Sequence, residues 1–338
     1  MKKKTIELED LIIGYRQGRR LRKVAGPLRA TVRKGELVCL LGENGAGKST
    51  MMRSMCGFQP FFGGTVKIEN HSVAELSEKQ LSRLVSVVLT DRIDVPNASV
   101  REMVSYGRSP YTGITGKIDT EGWKLVDRSV ADCGIAHKRD ELFSNLSDGE
   151  RQKVLIAKAL AQDTPVILLD EPTAFLDLPA RVEIMQLLRR IASSGKRSVL
   201  MSTHDLDMAL QLSDQLWLLT GDGEIVSGLP EDLLLKHSFQ GLFEREGIHF
   251  DAVNGTFRVQ YPVHHRIFGE GKGLGFQLLQ KALARNGIVL SPDRDLSGYQ
   301  IQETDNGGFC LINRNNQQVI CGHEIRGFVD GILQEMGD

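Results

Sequence analysis

Residues 42–50 read Gly42-Glu43-Asn44-Gly45-Ala46-Gly47-Lys48-Ser49-Thr50, the spacing of a loop built to hold a chain of phosphates. Glycine lets the backbone close in until its N–H groups point at phosphate oxygens, and a helix starting there adds positive potential. Lys48 is then expected to reach the β- and γ-phosphates, and the Ser49 hydroxyl to ligate Mg²⁺. A Gly-rich turn matching by chance would lack flanking elements. Here the apolar run LVCLL precedes the loop and the helical KSTMMRSMC follows it.

The second candidate is Val166-Ile167-Leu168-Leu169-Asp170-Glu171-Pro172. An apolar run ending in two carboxylates describes a core strand that delivers charge at its C-terminal edge, where open α/β sheets bind ligands. Asp170 is expected to hold the Mg²⁺ shell, and Glu171 to orient or deprotonate an attacking water. Taken alone, an acidic pair after a strand reads more readily as a helix cap; the phosphate loop reverses that preference. The third candidate is Leu146-Ser147-Asp148-Gly149-Glu150-Arg151-Gln152, ahead of the helical KVLIAKALAQD. Ser147 and Glu150 make a capping box, which a well-started helix explains by itself. A serine at a helix N-terminus, with Gly149 permitting close approach, also makes a second phosphate-binding surface.

This third segment resembles the signature motif of ABC ATPases, usually Leu-Ser-Gly-Gly-Gln, with Asp148 and Glu150 as departures. Other marks of that family follow in order. Tyr15, after Gly14, resembles the aromatic residue that stacks on adenine. Phe175-Leu176-Asp177 resembles the loop whose Asp crosses a dimer interface. His204, which as a lone residue would read as structural, follows the strand-like SVLMST and resembles the switch histidine that contacts the γ-phosphate. The resemblance covers roughly residues 5–245 and implies a P-loop NTPase fold of the ABC type. Its parts are a mostly parallel core sheet, an antiparallel β subdomain and an inserted helical subdomain. It also implies an ATP hydrolase using ATP and Mg²⁺, with catalytic Glu171, His204 and Lys48, working as a homodimer that sandwiches two nucleotides. The implied partners are an integral membrane permease and, indirectly, a substrate-binding protein, and the implied place is the cytoplasmic face of the inner membrane.

One family mark is missing. A Gln usually follows the strand that leads into the helical insert, whereas this strand ends Val87-Val88-Leu89-Thr90-Asp91-Arg92. Either Thr90 or Asp91 stands in its place, and a carboxylate there would repel a γ-phosphate unless Mg²⁺ neutralises it. Residues Ser105-Tyr106-Gly107-Arg108-Ser109-Pro110-Tyr111 resemble the Gly-Arg-x-Pro stretch of ATPases serving iron–siderophore, haem and cobalamin importers, although an ordinary helix-ending turn would look the same. The alternatives are an ABC transporter ATPase for another substrate class, or a non-transport ABC ATPase of repair or translation. The latter is disfavoured because long coiled-coil insertions and a second ATP site per chain are missing.

These residues need elements to hold them. The chain has 338 residues, 41% hydrophobic and 25% charged, enough for one large domain and a small one. Lys and Arg number 42 against 43 Asp and Glu, so no bulk field favours nucleic acid. The opening MKKKTIELED turns acidic without an apolar core, unlike a signal peptide, and no run nears the roughly 20 apolar residues of a spanning helix. Strands are expected at about 6–15, 28–32, 37–41, 65–68 and 84–89. Helical spacing takes over from about 95 to 162, and strand–helix alternation then returns, which together make an α/β sheet covered on both faces. Residues 1–245 form the expected ATPase domain. Residues 246–338 form a small α+β domain, regulatory or dimerising, with a helix at LGFQLLQKALARNG, strands at YQIQET, FCLINR and QQVICG, and a last helix near 324–336. Cys39, Cys56, Cys133, Cys310 and Cys321 show no metal or disulfide framework and are expected to be buried or inert thiols. His264-His265 are read as solvated.

Overall fold

The computed structural model describes every residue except 1, 18–19, 91–94, 96, 114–115, 240–247, 252–255, 272, 294–297, 305 and 338. The chain divides into two compact units, Met1–Glu244 with Phe250–Thr256, and Arg245–His249 with Phe257–Asp338.

In the first unit β1 (Lys4–Gln17) and β2 (Arg20–Arg33) pair antiparallel along their length. Ile6, Leu8, Leu11 and Ile13 are buried. The two-residue period breaks between Leu8 and Leu11, where the pairing carries a bulge and Asp10 takes a φ of 52°. The wholly buried β3 (Leu37–Gly42) runs into the phosphate loop, from which α1 (Lys48–Met55) departs. Then β4 (Gly63–Ile68) and β5 (His71–Ser72) complete a four-stranded antiparallel sheet in the order β2-β1-β4-β5.

A single turn, α2 (Glu78–Leu81), precedes β6 (Val85–Val88). The helical portion follows as α3 (Val100–Ser105), α4 (Thr120–Asp132) and α5 (Asp148–Ala161). Strand–helix alternation resumes with β7 (Val166–Leu169), α6 (Leu178–Ser193), β8 (Ser198–Ser202), α7 (Leu206–Leu212) and β9 (Gln215–Leu219). It ends with β10 (Ile225–Gly228) and α8 (Pro230–Leu235).

The six-stranded sheet has the order β10-β9-β3-β8-β7-β6 and is parallel except at β10. Its central strands β3, β7 and β8 are wholly buried because both faces are covered. Leu37, Cys39 and Leu41 of β3 join a core with Ile156 of α5 and Ile184 of α6. Val38 and Leu40 join another with Met51 of α1 and Ile13 of β1. Parallel strands place the carboxyl ends of β3, β8, β7 and β6 along one edge, where the chemistry-bearing residues collect.

The second unit was only partly legible. Beyond α9 (Leu274–Arg285), β15 (Tyr299–Glu303), β16 (Phe309–Asn313), β17 (Gln318–Gly322) and α10 (Ile325–Met336), it has β13 (His265–Gly269) and β14 (Ile288–Ser291). A two-stranded sheet of β11 (Ile248–Asp251) and β12 (Thr256–Val259) comes before them in the chain, and the division between the units falls within both strands. The five-stranded sheet runs β14-β13-β15-β16-β17, and Ile267, Ile301, Phe309 and Leu311 pack against Phe276 of α9 and Phe328 of α10.

Cys39, Cys56 and Cys133 are buried free thiols. The expectation of five such thiols fails at the other two, because Cys310 and Cys321 form a disulfide. They stand directly opposite on β16 and β17, a pairing set by the turn in which Asn313 donates its N–H to the Gln317 carbonyl at 3.0 Å. The sequence shows the 11-residue separation but not that register. Both sulfurs are committed to that bond and offer no thiols; His264 and His265 are exposed, and His265 opens β13, paired with Ile288.

Candidate functional site

Gly47 caps α1 with a φ of 110°, a left-handed value that favours glycine. A Cβ there would also meet Val24 Cγ1 at 2.6 Å, so the loop is held against β2 at a point where only glycine fits. Ala46 donates its N–H to the Glu43 carbonyl at 3.3 Å, closing the turn. The buried Lys48 folds back over it, donating from Nζ to the carbonyls of Gly42 at 2.9 Å and Glu43 at 3.1 Å. Burial pulls its pKa below the ordinary lysine value, against the opposing pull of Glu171 and Asp170. A cation held on two carbonyls has donors to offer an arriving anion.

Tyr15, Asn44, Gly45, Gly47, Lys48, Ser49, Thr50 and Glu171 line one cavity of about 460 Å³, together with Arg22, Lys23 and Val24. Tyr15 is 39% exposed, and Arg22, its cross-strand partner, places its guanidinium carbon 5.6 Å from the ring centre.

Asp170 and Glu171 follow β7 but cap no helix. Glu171 takes a φ of 49°, left-handed for a non-glycine residue, a conformation that costs backbone energy and is held by the structure around it. The next helix, α6, is capped instead by Asp177, whose Oδ1 accepts from the Ala180 N–H at 2.9 Å. The two carboxylate residues share one organiser. The Ser202 hydroxyl donates to Asp170 Oδ1 at 2.6 Å and accepts the Glu171 N–H at 2.9 Å. His204 Nε2 lies 2.7 Å from Glu171 Oε1. Thr90 donates its hydroxyl to the Asp170 carbonyl at 2.9 Å, which ties the end of β6 to the acidic pair; Asp91 lies outside the described residues.

Ser49 and the buried Asp170 fit a hard divalent cation. Their donors are oxygens, Asp170 keeps an oxygen that Ser202 does not engage, and both residues follow carboxyl ends at the same sheet edge.

Ser147 and Gly149 sit elsewhere, at the start of α5. The capping box forms as read, Ser147 N–H to Glu150 Oε2 at 2.9 Å and Glu150 N–H to Ser147 Oγ at 3.4 Å. A Cβ on Gly149 would meet Ala180 Cβ at 3.2 Å, so the N-termini of α5 and α6 lie side by side. Ser147, Gly149 and Asp177 do not line the cavity of the phosphate loop. Arg108 plays a structural part, donating to the Ala161 carbonyl at 2.8 Å and stacking on Tyr111 with its guanidinium carbon 4.0 Å from the ring centre. Gly107 abuts the Lys158 carbonyl. Sequence reasoning missed Ser202 and Arg22. Ser202 carried a signal, standing at the end of a core strand two residues before His204.

Residues 26–174 match the family model described as ABC transporter. An ABC transporter ATP-binding protein of Methanocaldococcus jannaschii is 31% identical over 273 residues, 79% of this chain and 93% of its own. A cobalamin import ATP-binding protein of Halobacterium salinarum is 37% identical over 239 residues, 70% of this chain but 59% of that longer protein. The iron(3+)-hydroxamate import ATP-binding protein of Bacillus subtilis is 32% identical over 241 residues, 71% of this chain and 88% of its own. Among solved structures, a chain from an inward-facing transporter described as of the metal-chelate type superposes with a TM-score of 0.62 at 25% identity. That match covers 71% of this chain and 89% of the other. A dimeric ATP-binding cassette in a post-hydrolysis state with ADP and Pi gives 0.58 at 25% identity, covering 67% and 98%. The chain belongs to the ABC transporter family, as one of its ATP-binding, ATP-hydrolysing subunits.

Proposed function

We propose that this subunit powers import of a metal chelate, whether iron–siderophore, haem or cobalamin, through a separate integral membrane permease at the cytoplasmic face of the inner membrane. The run of importer subunits among its relatives carries the reading. It includes the two named above and a petrobactin import ATP-binding protein of Bacillus anthracis, 32% identical over 225 residues. Gly107-Arg108-Ser109-Pro110 supports it. Among the described residues no helix is long and apolar enough to cross a membrane, and the reading assigns the pore to another chain and substrate delivery to a binding protein.

On this reading Lys48 trades its loop carbonyls for the β- and γ-phosphates, and Tyr15 stacks on the base. Glu171 takes the proton of the attacking water while His204, on its Oε1, fixes its rotamer and approaches the γ-phosphate. Ser49 and Asp170 would hold Mg²⁺, which neutralises developing phosphate charge when bound. Two copies pair head to tail, Ser147 and Gly149 of each facing the other's phosphate loop, in a closed two-fold arrangement. The exposed Phe175 and Leu178, at 77% and 65%, support a partner at that surface beside Asp177.

The test is purification of the chain from its native membranes with whatever it holds. Recovery of a polytopic permease whose transport of an iron chelate or cobalamin is driven by ATP is the expected result. Recovery with ribosomes or nucleic acid, or stimulation by an unrelated substrate alone, overturns the import reading.

A further inference from the structure

We propose that the Cys310–Cys321 bridge is a reversible thiol–disulfide site, opened by dithiols and closed by disulfides, that locks the edge strand β17 and its following helix onto the small domain's sheet. Several independent features point to it. The two residues are direct cross-strand partners with Cα atoms 4.2 Å apart, so the ladder itself keeps the two side chains next to each other on one face. Phe309 and Leu311 face α9 and α10; Cys310, between them, faces the other side of the sheet. Cys310 is buried and Cys321 is exposed, so an external thiolate can reach one sulfur of the pair. The remaining cysteines do not compete: Cys39, Cys56 and Cys133 are buried, and burial pushes the Cys39 and Cys56 thiols up to about 12.

The bond sits where a cross-link has leverage. Among the described residues β17 hydrogen-bonds to β16 alone, and the register breaks at a bulge between Leu311 and Ile312. Past Gly322, where the strand ends, the chain turns within two residues into α10, whose Phe328 ring packs 5.8 Å from that of Phe309. A short edge strand on a bulged ladder slips or frays readily, and one covalent tie beside the bulge fixes it.

In the opening step a thiolate of a dithiol attacks Cys321 Sγ, the S–S bond breaks, and Cys310 leaves as a thiolate that takes up a proton. The second thiol of the reductant then attacks the mixed disulfide, freeing Cys321 as a thiol and closing the reductant's own disulfide. Two electrons and two protons pass to the protein. On the cytoplasmic placement proposed above the bridge would meet reducing thiols, where disulfides are usually transient and redox-sensing. The test does not depend on that placement or on ATP turnover.

The full chain is equilibrated with mixtures of reduced and oxidised dithiothreitol, free thiols are alkylated and counted by mass spectrometry, and hydrogen exchange is followed in parallel. Cys310 and Cys321 are expected to become alkylated together along a two-electron curve, about 30 mV per tenfold change in ratio. The other three cysteines should react only after unfolding. Exchange over residues 318–336 should rise on reduction while residues 265–291 stay unchanged, and the C310A/C321A variant should match the reduced pattern in either buffer. A pair that resists excess dithiothreitol until the chain unfolds is a permanent brace and overturns the proposal. So does alkylation of one partner alone, or reduction that leaves exchange over 318–336 unmoved.

Discussion

His204 Nε2 stands 2.7 Å from Glu171 Oε1, a contact between the ends of adjacent strands β8 and β7 that fixes where the carboxylate points. Glu171 is held from both sides, by His204 at its carboxylate and by Ser202 at its N–H. Glu171→Gln keeps the size of the side chain but removes the carboxylate proposed as the base. Turnover should fall at least about 100-fold, the lower range for a lost general base, while ATP binding survives and the nucleotide-bound dimer accumulates. His204→Ala should lower kcat without a matching rise in KM. Single-turnover hydrolysis with size-exclusion analysis checks both, and near-normal turnover in Glu171→Gln would sink the assigned role.

Ser202 organises both acidic residues through one hydroxyl. Ser202→Ala leaves a buried carboxylate oxygen of Asp170 and the Glu171 N–H without their partner, at about 1–3 kcal/mol. The expected result is a lower urea midpoint without nucleotide and a higher Mg²⁺ requirement for turnover, with Ser202→Thr restoring most of both. Stability lost with an unchanged Mg²⁺ titration would reduce Ser202 to a packing residue.

Tyr15 and Arg22 face each other across β1 and β2 in the lining of the phosphate-loop cavity. Tyr15→Ala should weaken ATP by about 1–3 kcal/mol, the range for loss of a base–aromatic stack, and leave inorganic tripolyphosphate unaffected. Tyr15→Trp should retain affinity. If Arg22 positions the ring, the effect of Arg22→Ala on ATP disappears in a Tyr15→Ala background. Additive losses in calorimetric titrations would show that it acts by charge alone.

The phosphate loop, the acidic strand end and the signature-like helix start were legible because each is a local pattern whose chemistry depends on residues close in sequence. Ser202 was not singled out, because its meaning depends on β8 lying between β3 and β7, a fact of sheet order. The Cys310–Cys321 bridge was misread for a related reason: hairpin register decides it, and a one-residue slip would put the sulfurs on opposite faces. Arg108 drew attention as a family mark, while its bond to the Ala161 carbonyl shows a packing role that no spacing announces.

The signature-like segment departs from its family at Asp148 and Glu150, which bring two carboxylates to a helix start meant, on the proposed dimer, to face a partner's phosphates. Each has a cation nearby: Lys138 lies 2.8 Å from Glu150, and Arg151 lies 4.0 Å from Asp148. The Lys138 hydrogen bond and then the Ser147 N–H hold the Glu150 carboxyl down at about 2, from an ordinary 4.5. A depressed folded value means its contribution to stability is full above about 4.5 and is lost as pH falls through about 2. The pair is partly exposed, so that contribution is at most about 1 kcal/mol. Its larger effect should be on assembly. Lys138→Ala should weaken ATP-dependent dimerisation of a Glu171→Gln background several-fold, more so at low salt, and adding Glu150→Gln should restore it by removing the charge. A carboxyl NMR titration placing Glu150 near 4.5, or a Lys138→Ala loss that Glu150→Gln leaves unrescued, would remove Lys138 from this role.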